Sequence, residues 1–170
     1  MCIMDKQNRI IVWISVILVI GITAVAAWQI SKGTSPTALR PGATLGVLTE
    51  AVSPSDWTKG AKAPKVSLVE YSDFQCPACG AYYPLVEKVF ADNQDHLDFT
   101  YRQFPLPQHK NALVAAYASE AAGIQGKFWE MHDLLFKNQD VWSETDTATQ
   151  TFEGYAKDLG LDVQKFKVDS

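Results

Sequence analysis

Two cysteines three positions apart, Cys76 and Cys79, are the feature that most constrains what this chain can fold into. They follow an apolar run, residues 66–71, that is typical of a buried strand, and they open residues 80–90, which are typical of a helix. Two thiols on the first turn of a helix can close a disulfide. The free amides and partial positive charge of a helix N-terminus favour the thiolate of the first cysteine. The position and spacing therefore predict a dithiol redox centre.

Structural zinc is the other common use of a Cys-x-x-Cys pair. A tetrahedral zinc site would need two further ligands, and the remaining candidates are Cys2, His96, His109 and His132. None of these has paired ligand spacing. We therefore expect no metal at the pair and no cofactor beyond the redox-active disulfide between the two cysteines.

Charge and length narrow the possible partners. The chain has 170 residues and a net charge of −4, and it contains no basic run or basic–aromatic patch. We therefore expect no nucleic-acid partner. The length leaves room for one domain and a small additional segment.

That additional segment is an apolar stretch near the N-terminus. Residues 1–9 form a short polar tail, and residues 10–30 are almost wholly apolar, about the length that a helix of roughly 20 residues needs to cross a bilayer. Trp13 and Trp28 lie towards its two ends, where interfacial aromatics are favoured. The stretch predicts a transmembrane anchor. A cleaved signal peptide is the alternative, because Ala24-Val25-Ala26 fits a small-x-small cleavage site.

The charges that flank the stretch are nearly balanced, so they do not fix its orientation. Stable disulfide chemistry in the oxidising direction belongs outside the cytosol. We therefore expect a single-pass protein of the cell membrane with its domain on the extracytoplasmic side. Residues 31–54, which begin rich in Ser, Thr, Gly and Pro, are predicted to be a linker.

The remaining pattern predicts an α/β domain over residues 55–170. Residues 97–104 alternate like a strand, and a strand–helix–strand unit implies a parallel pair with a right-handed connection. A short strand is predicted at residues 46–52 and a capped turn or single helical turn at residues 55–60. Pro84 is expected to kink the dithiol helix. Beyond the strand at residues 97–104, helices are predicted at residues 111–122, 127–138, 149–159 and 163–168.

Four blocks of this sequence resemble one family. The segment Val69-Glu70-Tyr71-Ser72-Asp73-Phe74-Gln75-Cys76-Pro77-Ala78-Cys79-Gly80 resembles the active-site segment of DsbA-like thiol:disulfide oxidoreductases, a branch of the thioredoxin superfamily. The resemblance continues through residues 104–109, 126–136 and 155–161. It implies a thioredoxin-like fold with an inserted α-helical domain, here residues 109–168, and disulfide exchange in a prokaryotic cell envelope.

One departure from the family pattern concerns the end of the domain. Thioredoxin-like proteins place a cis-proline loop against the dithiol and finish the sheet with further strands. No proline follows Pro107, and no strand-like run follows Phe104. We therefore expect the C-terminal strands and the cis-proline loop to be missing, as in a truncated chain, which puts the activity of this chain in doubt.

The resemblance also implies roles for individual residues. Cys76 would be the nucleophile and Cys79 the deeper cysteine that closes the disulfide. Glu70 would be a buried acid beneath the dithiol that assists proton transfer, with a strand-end surface glutamate as the alternative. Pro77 and Ala78 would stabilise the Cys76 thiolate less than a histidine in that gap, which predicts a less extreme oxidant.

Other side chains near the pair have less specific roles. Phe74, with Pro77 and Ala78, is a candidate for substrate binding, although it is equally suited to be a core aromatic. Asp73 is expected to be a turn or capping residue, and His109 to cap or pack the start of the helical insertion. His132 is expected to be a packing or surface residue of its helix.

Function follows from these expectations. We predict a membrane-anchored thiol:disulfide oxidoreductase. Its expected partners are unfolded or thiol-containing exported proteins and a membrane redox partner. A reductase or isomerase of the same family is an alternative, since the sequence does not fix the direction of exchange. A non-catalytic, membrane-tethered thioredoxin-like binding module is the alternative from a different class.

Overall fold

A three-stranded sheet forms the base of the domain in the computed structural model, which describes residues 50–170. The strands are β1 (Trp57–Gly60), β2 (Val66–Ser72) and β3 (Leu97–Gln103). Their spatial order is β1-β3-β2, with β1 antiparallel and β2 parallel to the central β3. The parallel pair expected from the sequence is therefore present.

Strand β1 corrects the expectation of a turn or helical turn at residues 55–60. Its four residues are too few for a period to be recognised, and the contacts that hold them are distant in sequence. The hydroxyls of Thr58 and Thr100 lie 2.8 Å apart across the β1–β3 pair. The Trp57 indole donates to Glu120 at 2.8 Å and stacks on Phe128 with 4.6 Å between ring centroids. Tertiary pairing, not local propensity, makes this segment a strand.

The strand expected at residues 46–52 is absent from residues 50–52, the part of it that the structure describes. Residues 46–49 lie outside the described range. The predicted polar tail, the anchor at residues 10–30 and most of the linker also lie outside it. Within residues 50–170, no helix combines the length and apolar character needed to cross a membrane.

Helix α1 (Pro77–Asn93) connects β2 to β3 and carries the dithiol at its N-terminus. A proline suits this first position, because the first turn of a helix has no use for its missing N–H. Pro84 lies inside the helix without ending it. No residue of α1 is fully buried, so the helix covers the core with one side and exposes the other.

Five further helices complete the described domain: α2 (Ala112–Ile124), α3 (Phe128–Lys137), α4 (Gln139–Trp142), α5 (Ala148–Asp158) and α6 (Val163–Asp169). Four of them match the predicted helices within a few residues. Helix α4 was not predicted, because one turn is too short for a helical period. Gly160, with φ of +72°, supplies the left-handed residue just after α5 ends.

The core lies between the sheet and the helices. Phe99 and Tyr101 of β3 are buried against aromatic side chains of α3, and α2 contributes a face of buried alanines. Small side chains let α2 approach closely: a Cβ on Gly123 would overlap the indole of Trp57. The fold is thus a thioredoxin-like α/β domain with its helical part packed on one face of the sheet.

Strand β2 is less buried than the sequence suggested. Val66 is 59% exposed and Tyr71 48% exposed, and three central residues of the strand are only half-buried. The reason is its position: β2 is an outer strand of the described sheet. An apolar run alone does not distinguish an outer strand from a central one.

Candidate active site

The two cysteines lie where β2 leads into α1. Cys76 is the N-cap residue, with extended backbone (φ −66°, ψ 121°), and Cys79 lies in the first helical turn. Both thiols are free and half-buried, whereas Pro77 and Ala78 between them are exposed. An N-cap side chain ordinarily accepts hydrogen bonds from the second or third amide of the helix. The Cys76 side chain accepts no such bond in the structure, and its thiolate would be the group to accept one.

Cys79 is the cysteine turned towards the core, where it packs against the buried cluster. Burial raises the pKa of its thiol above the ordinary value of 9.0, and the neighbouring Cys76 acts in the same direction. The polar groups of the Asp73 backbone and the Ser72 side chain act against this rise in pKa. Cys79 is therefore protonated near neutral pH, which suits the cysteine that is not the nucleophile.

The carboxylate of Asp73 ties the loop before the dithiol to the segment after β3. One oxygen accepts the amide of Gln75 at 2.8 Å, which forms a local turn. The other accepts the amide of Leu106 at 3.0 Å and lies 2.6 Å from Nδ1 of His109. Asp73 is only 3% exposed. The expected turn role of Asp73 and packing role of His109 are both present, and they are parts of one contact.

Two glutamines attach the same loop to the helical part. The Gln75 side chain donates to the Ser143 carbonyl at 2.5 Å and accepts the Asn111 amide at 2.6 Å. The Gln139 side chain donates to the carbonyls of Phe74 at 2.6 Å and Cys76 at 3.0 Å. These bonds fix the backbone on both sides of Gln75 and so fix the approach to Cys76.

Helix α4 can come this close because Gly80 has no side chain. A Cβ at Gly80 would lie 2.5 Å from Oε1 of Gln139. Sequence reasoning did not single out Gln75 or Gln139. Their partners lie 36 to 68 residues away, so no local spacing could have indicated them.

Phe74 belongs to the core rather than to the exposed surface. It is 1% exposed and contacts Tyr101 and Phe136, with ring centroids 5.0 and 4.9 Å away. It cannot offer its ring to a substrate in this conformation, and the alternative of a core aromatic holds. Pro77 is exposed beside Cys76, on a groove that is also lined by Ala81, Lys137 and Asp140.

Glu70 lies opposite Tyr101 in the β2–β3 register and is half-buried. Burial raises the pKa of Tyr101 well above its ordinary value, and the charges of Glu70 and Cys79 act in the same direction. Register partners in a sheet lie on the same face, so Glu70 lies on the face of the buried Tyr101. Its role in proton transfer stays a prediction.

A possible metal-ligand group among the described residues lies away from the cysteines, at Glu87, His132 and Asp133. Its carboxylates are already paired, since Lys59 lies 2.8 Å from Glu87 and Lys137 lies 3.0 Å from Asp133. A cation would have to displace both lysines. His132 is 1% exposed among aromatic rings, which makes it a packing residue of α3.

A half-buried dithiol at the N-terminus of a helix that follows a parallel strand is typical of thioredoxin-like domains. The family model described as thioredoxin matches residues 53–169. The chain belongs to the thioredoxin family.

Solved structures of similar fold are DsbA-type proteins and related oxidoreductases. A thioredoxin-like oxidoreductase from Silicibacter pomeroyi is 26% identical, with a TM-score of 0.56, and the match covers 69% of this chain and 64% of that one. Oxidised BdbD from Bacillus subtilis is 25% identical, with a TM-score of 0.54 and coverage of 65% and 62%. Wolbachia pipientis alpha-DsbA1, at 22% identity and a TM-score of 0.57 with coverage of 69% and 60%, supports the fold.

Curated relatives carry a different name. The chain is 41% identical over 140 residues to a Na(+)/H(+) antiporter NhaA 1 of Salinispora arenicola, a match that covers 78% of this chain and 21% of that protein. It is 40% identical to a Na(+)/H(+) antiporter NhaA 3 of Salinispora tropica, with coverage of 66% and 16%. The chain spans about a fifth of these relatives, so their antiporter name is not transferred to it.

Proposed function

We propose that this chain is a DsbA-type thiol:disulfide oxidoreductase that exchanges disulfides with exported proteins through Cys76 and Cys79. The observation that carries the proposal is the geometry of the dithiol. Cys76 occupies the N-cap of α1, where amides can stabilise its thiolate, and Cys79 lies against the core with a raised pKa. This asymmetry gives the two thiols different tasks.

The exchange follows from those tasks. In the oxidised protein, a substrate thiolate attacks Sγ of Cys76, the bond between the two cysteines breaks, and Cys79 leaves as a thiolate that takes up a proton. A second substrate thiolate then attacks the substrate sulfur of the mixed disulfide. Cys76 is released as a thiolate, and two electrons have passed from the substrate to the protein.

The central experiment compares the oxidation of a reduced model protein by the full chain and by its Cys76→Ser and Cys79→Ser variants. We expect the full chain to form substrate disulfides and Cys76→Ser to form none. Cys79→Ser should also form none, because it cannot hold the disulfide that is passed to the substrate. Mixed instead with an oxidised model protein, this variant should accumulate a mixed disulfide on Cys76, because Cys79 is absent and cannot release the substrate. Equal rates of substrate oxidation by the full chain and by Cys76→Ser would contradict the proposal.

The equilibrium with glutathione gives the direction of exchange. We expect an oxidant weaker than the strongest known, because Pro77 and Ala78 carry no charge or hydrogen-bond donor on their side chains. A potential near thioredoxin's, about −270 mV, would favour a reductase instead.

A non-catalytic binding module is the second candidate. It is favoured by the open outer edge of β2, since within residues 50–170 no further strand pairs with it beside the dithiol. The same experiment separates the two candidates. A module that only binds would retain a thiol-containing partner equally well with and without Cys76.

We further propose that residues 10–30 anchor the chain in the cell membrane with residues 50–170 on the extracytoplasmic side, where a membrane redox partner could reoxidise the dithiol. Support comes from the apolar length of that stretch and from the compartment that oxidative chemistry requires. Protease treatment of intact cells and of inverted vesicles tests this. Protection of the domain in intact cells whose outer layers have been made permeable would contradict it.

A further inference from the structure

Asp73 contacts the dithiol segment through its backbone. Its carbonyl accepts the amide of Cys76 at 3.0 Å, and its backbone acts to lower the pKa of the Cys79 thiol. Its carboxylate faces the opposite way, towards Leu106 and His109. The residue that carries this carboxylate therefore also holds the backbone at Cys76.

The carboxylate has the contacts of an ionised group. Backbone amides of Gln75 and Leu106 donate to it, and Nδ1 of His109 lies 2.6 Å from it. Asp73 is nearly fully buried, and the His109 side chain is 19% exposed. A buried negative charge this close to the dithiol would oppose the Cys76 thiolate, unless a positive charge balances it.

His109 is the side chain placed to balance that charge. The other charged side chains around the loop are Glu70 on β2, Lys110 beside His109, and Glu144 after α4. Lys110 reaches the Glu144 carbonyl and Asp146 instead. Among the described residues, none of these groups hydrogen-bonds to the Asp73 carboxylate.

We propose that Asp73 and His109 are positioning residues that act as a buried ion pair, and that the His109 charge makes the dithiol more oxidising by cancelling the Asp73 charge. The reduced protein carries the Cys76 thiolate and the oxidised protein carries no charge there. Any net charge on Asp73 and His109 together therefore shifts the equilibrium between the reduced and the oxidised protein. The inference rests on the proposed function only in requiring that the dithiol be redox-active.

The test is the equilibrium constant for reduction of the full chain by glutathione at neutral pH, measured for His109→Asn, Asp73→Asn and the double variant. Asparagine at 109 can still donate a hydrogen bond but carries no charge. We expect His109→Asn to lower the constant by about threefold to tenfold, because the Asp73 charge is then unbalanced. Asp73→Asn should leave the constant close to its original value, because His109 loses its proton when the carboxylate is removed. The double variant should return close to the original value.

The control is His96→Asn, which removes an exposed histidine at the far end of β3 and should leave the constant unchanged. If the contact is purely structural, the equilibrium constant of His109→Asn should equal that of the unchanged chain, or the constants of all three variants should shift in the same direction. Either outcome overturns the inference, as does a shift in the control as large as that of His109→Asn.

A second measurement keeps the inference testable if the dithiol does not equilibrate with glutathione, a result that would count against the proposed function. Nitrogen-15 spectra of the imidazole report the protonation of each ring nitrogen directly. We expect both nitrogens of His109 to carry protons at neutral pH, and one to lose its proton in Asp73→Asn. A neutral His109 in the unchanged chain would overturn the ion pair.

Discussion

The dithiol has a helical side and a sheet side, and the two are held very differently. On the helical side, the side chains of Asp73, Gln75 and Gln139 attach the loop before Cys76 to α4, to the residue after α4 and to the segment before α2. Phe74 anchors the same loop in the aromatic core. The position of Cys76 is thus set mainly by residues distant in sequence.

The sheet side has a sparser arrangement. Strand β2 is an outer strand on which Val66 and Tyr71 are exposed, and Arg102 of the neighbouring β3 contacts its Tyr71. Arg102 donates to both Asp56 oxygens at 2.8 Å, to the Tyr71 hydroxyl at 2.6 Å and to the carbonyls of Glu50 and Ala51. The comparison indicates that the helical part, not the strand that leads into the dithiol, holds the site in place.

The largest difference between the two sides should appear when an aromatic ring is removed from each. We expect Phe74→Ala to lower the free energy of unfolding by about 3–5 kcal/mol, because a fully buried ring leaves a cavity. Tyr71→Ala should cost less than about 1 kcal/mol, since that ring is half-exposed. Urea unfolding of both variants checks this, and similar losses would remove the contrast.

The next effect concerns the bonds that fix Cys76. Gln139→Ala should cost about 1–2 kcal/mol of stability and change the rate at which iodoacetamide alkylates Cys76, because two carbonyls beside the thiol lose their donor.

Gln125→Ala is the matched control for Gln139→Ala. The Gln125 side chain also bonds the backbone of a distant residue, Asp162, but at a site that does not touch the dithiol loop. The Gln125→Ala variant should leave the alkylation rate of Cys76 unchanged. If the two variants altered that rate equally, the helical side would not be positioning the thiol.

The smallest effect should be the pH-dependent one on the sheet side. The hydrogen bond from Arg102, followed by the Ser53 amide, lowers the pKa of Asp56 from 3.8 to about 2. A lowered pKa in the folded state stabilises the fold above the unfolded pKa, and this stabilisation is lost as the pH falls towards 2. Solvent screening limits it to about 1 kcal/mol or less.

Urea unfolding of the unchanged chain and of Asp56→Asn at several pH values measures this contribution. We expect the two proteins to differ near pH 6 and to converge as the pH approaches 2. A difference that stays constant over this range would mean that the Asp56 charge does not stabilise the sheet side.

Much of the fold could be predicted from local patterns. The strands at β2 and β3, the dithiol helix and four of the five later helices each have a run or period long enough to recognise. Strand β1 and helix α4 have four residues each and were missed. Distant partners decide both: β1 pairs with β3, and α4 packs where Gly80 leaves room for Gln139.

The sequence alone determined the dithiol and its place between a strand and a helix, because both are carried by residues close together in the chain. It also determined the family to which the chain belongs, because four short blocks of the sequence carry the resemblance. Only the tertiary structure decided which side chains surround that dithiol. Asp73 meets His109 across 36 residues, and Gln75 meets Ser143 across 68. Contacts over such separations follow from how the helices pack on the sheet, and that packing leaves no signal in local spacing.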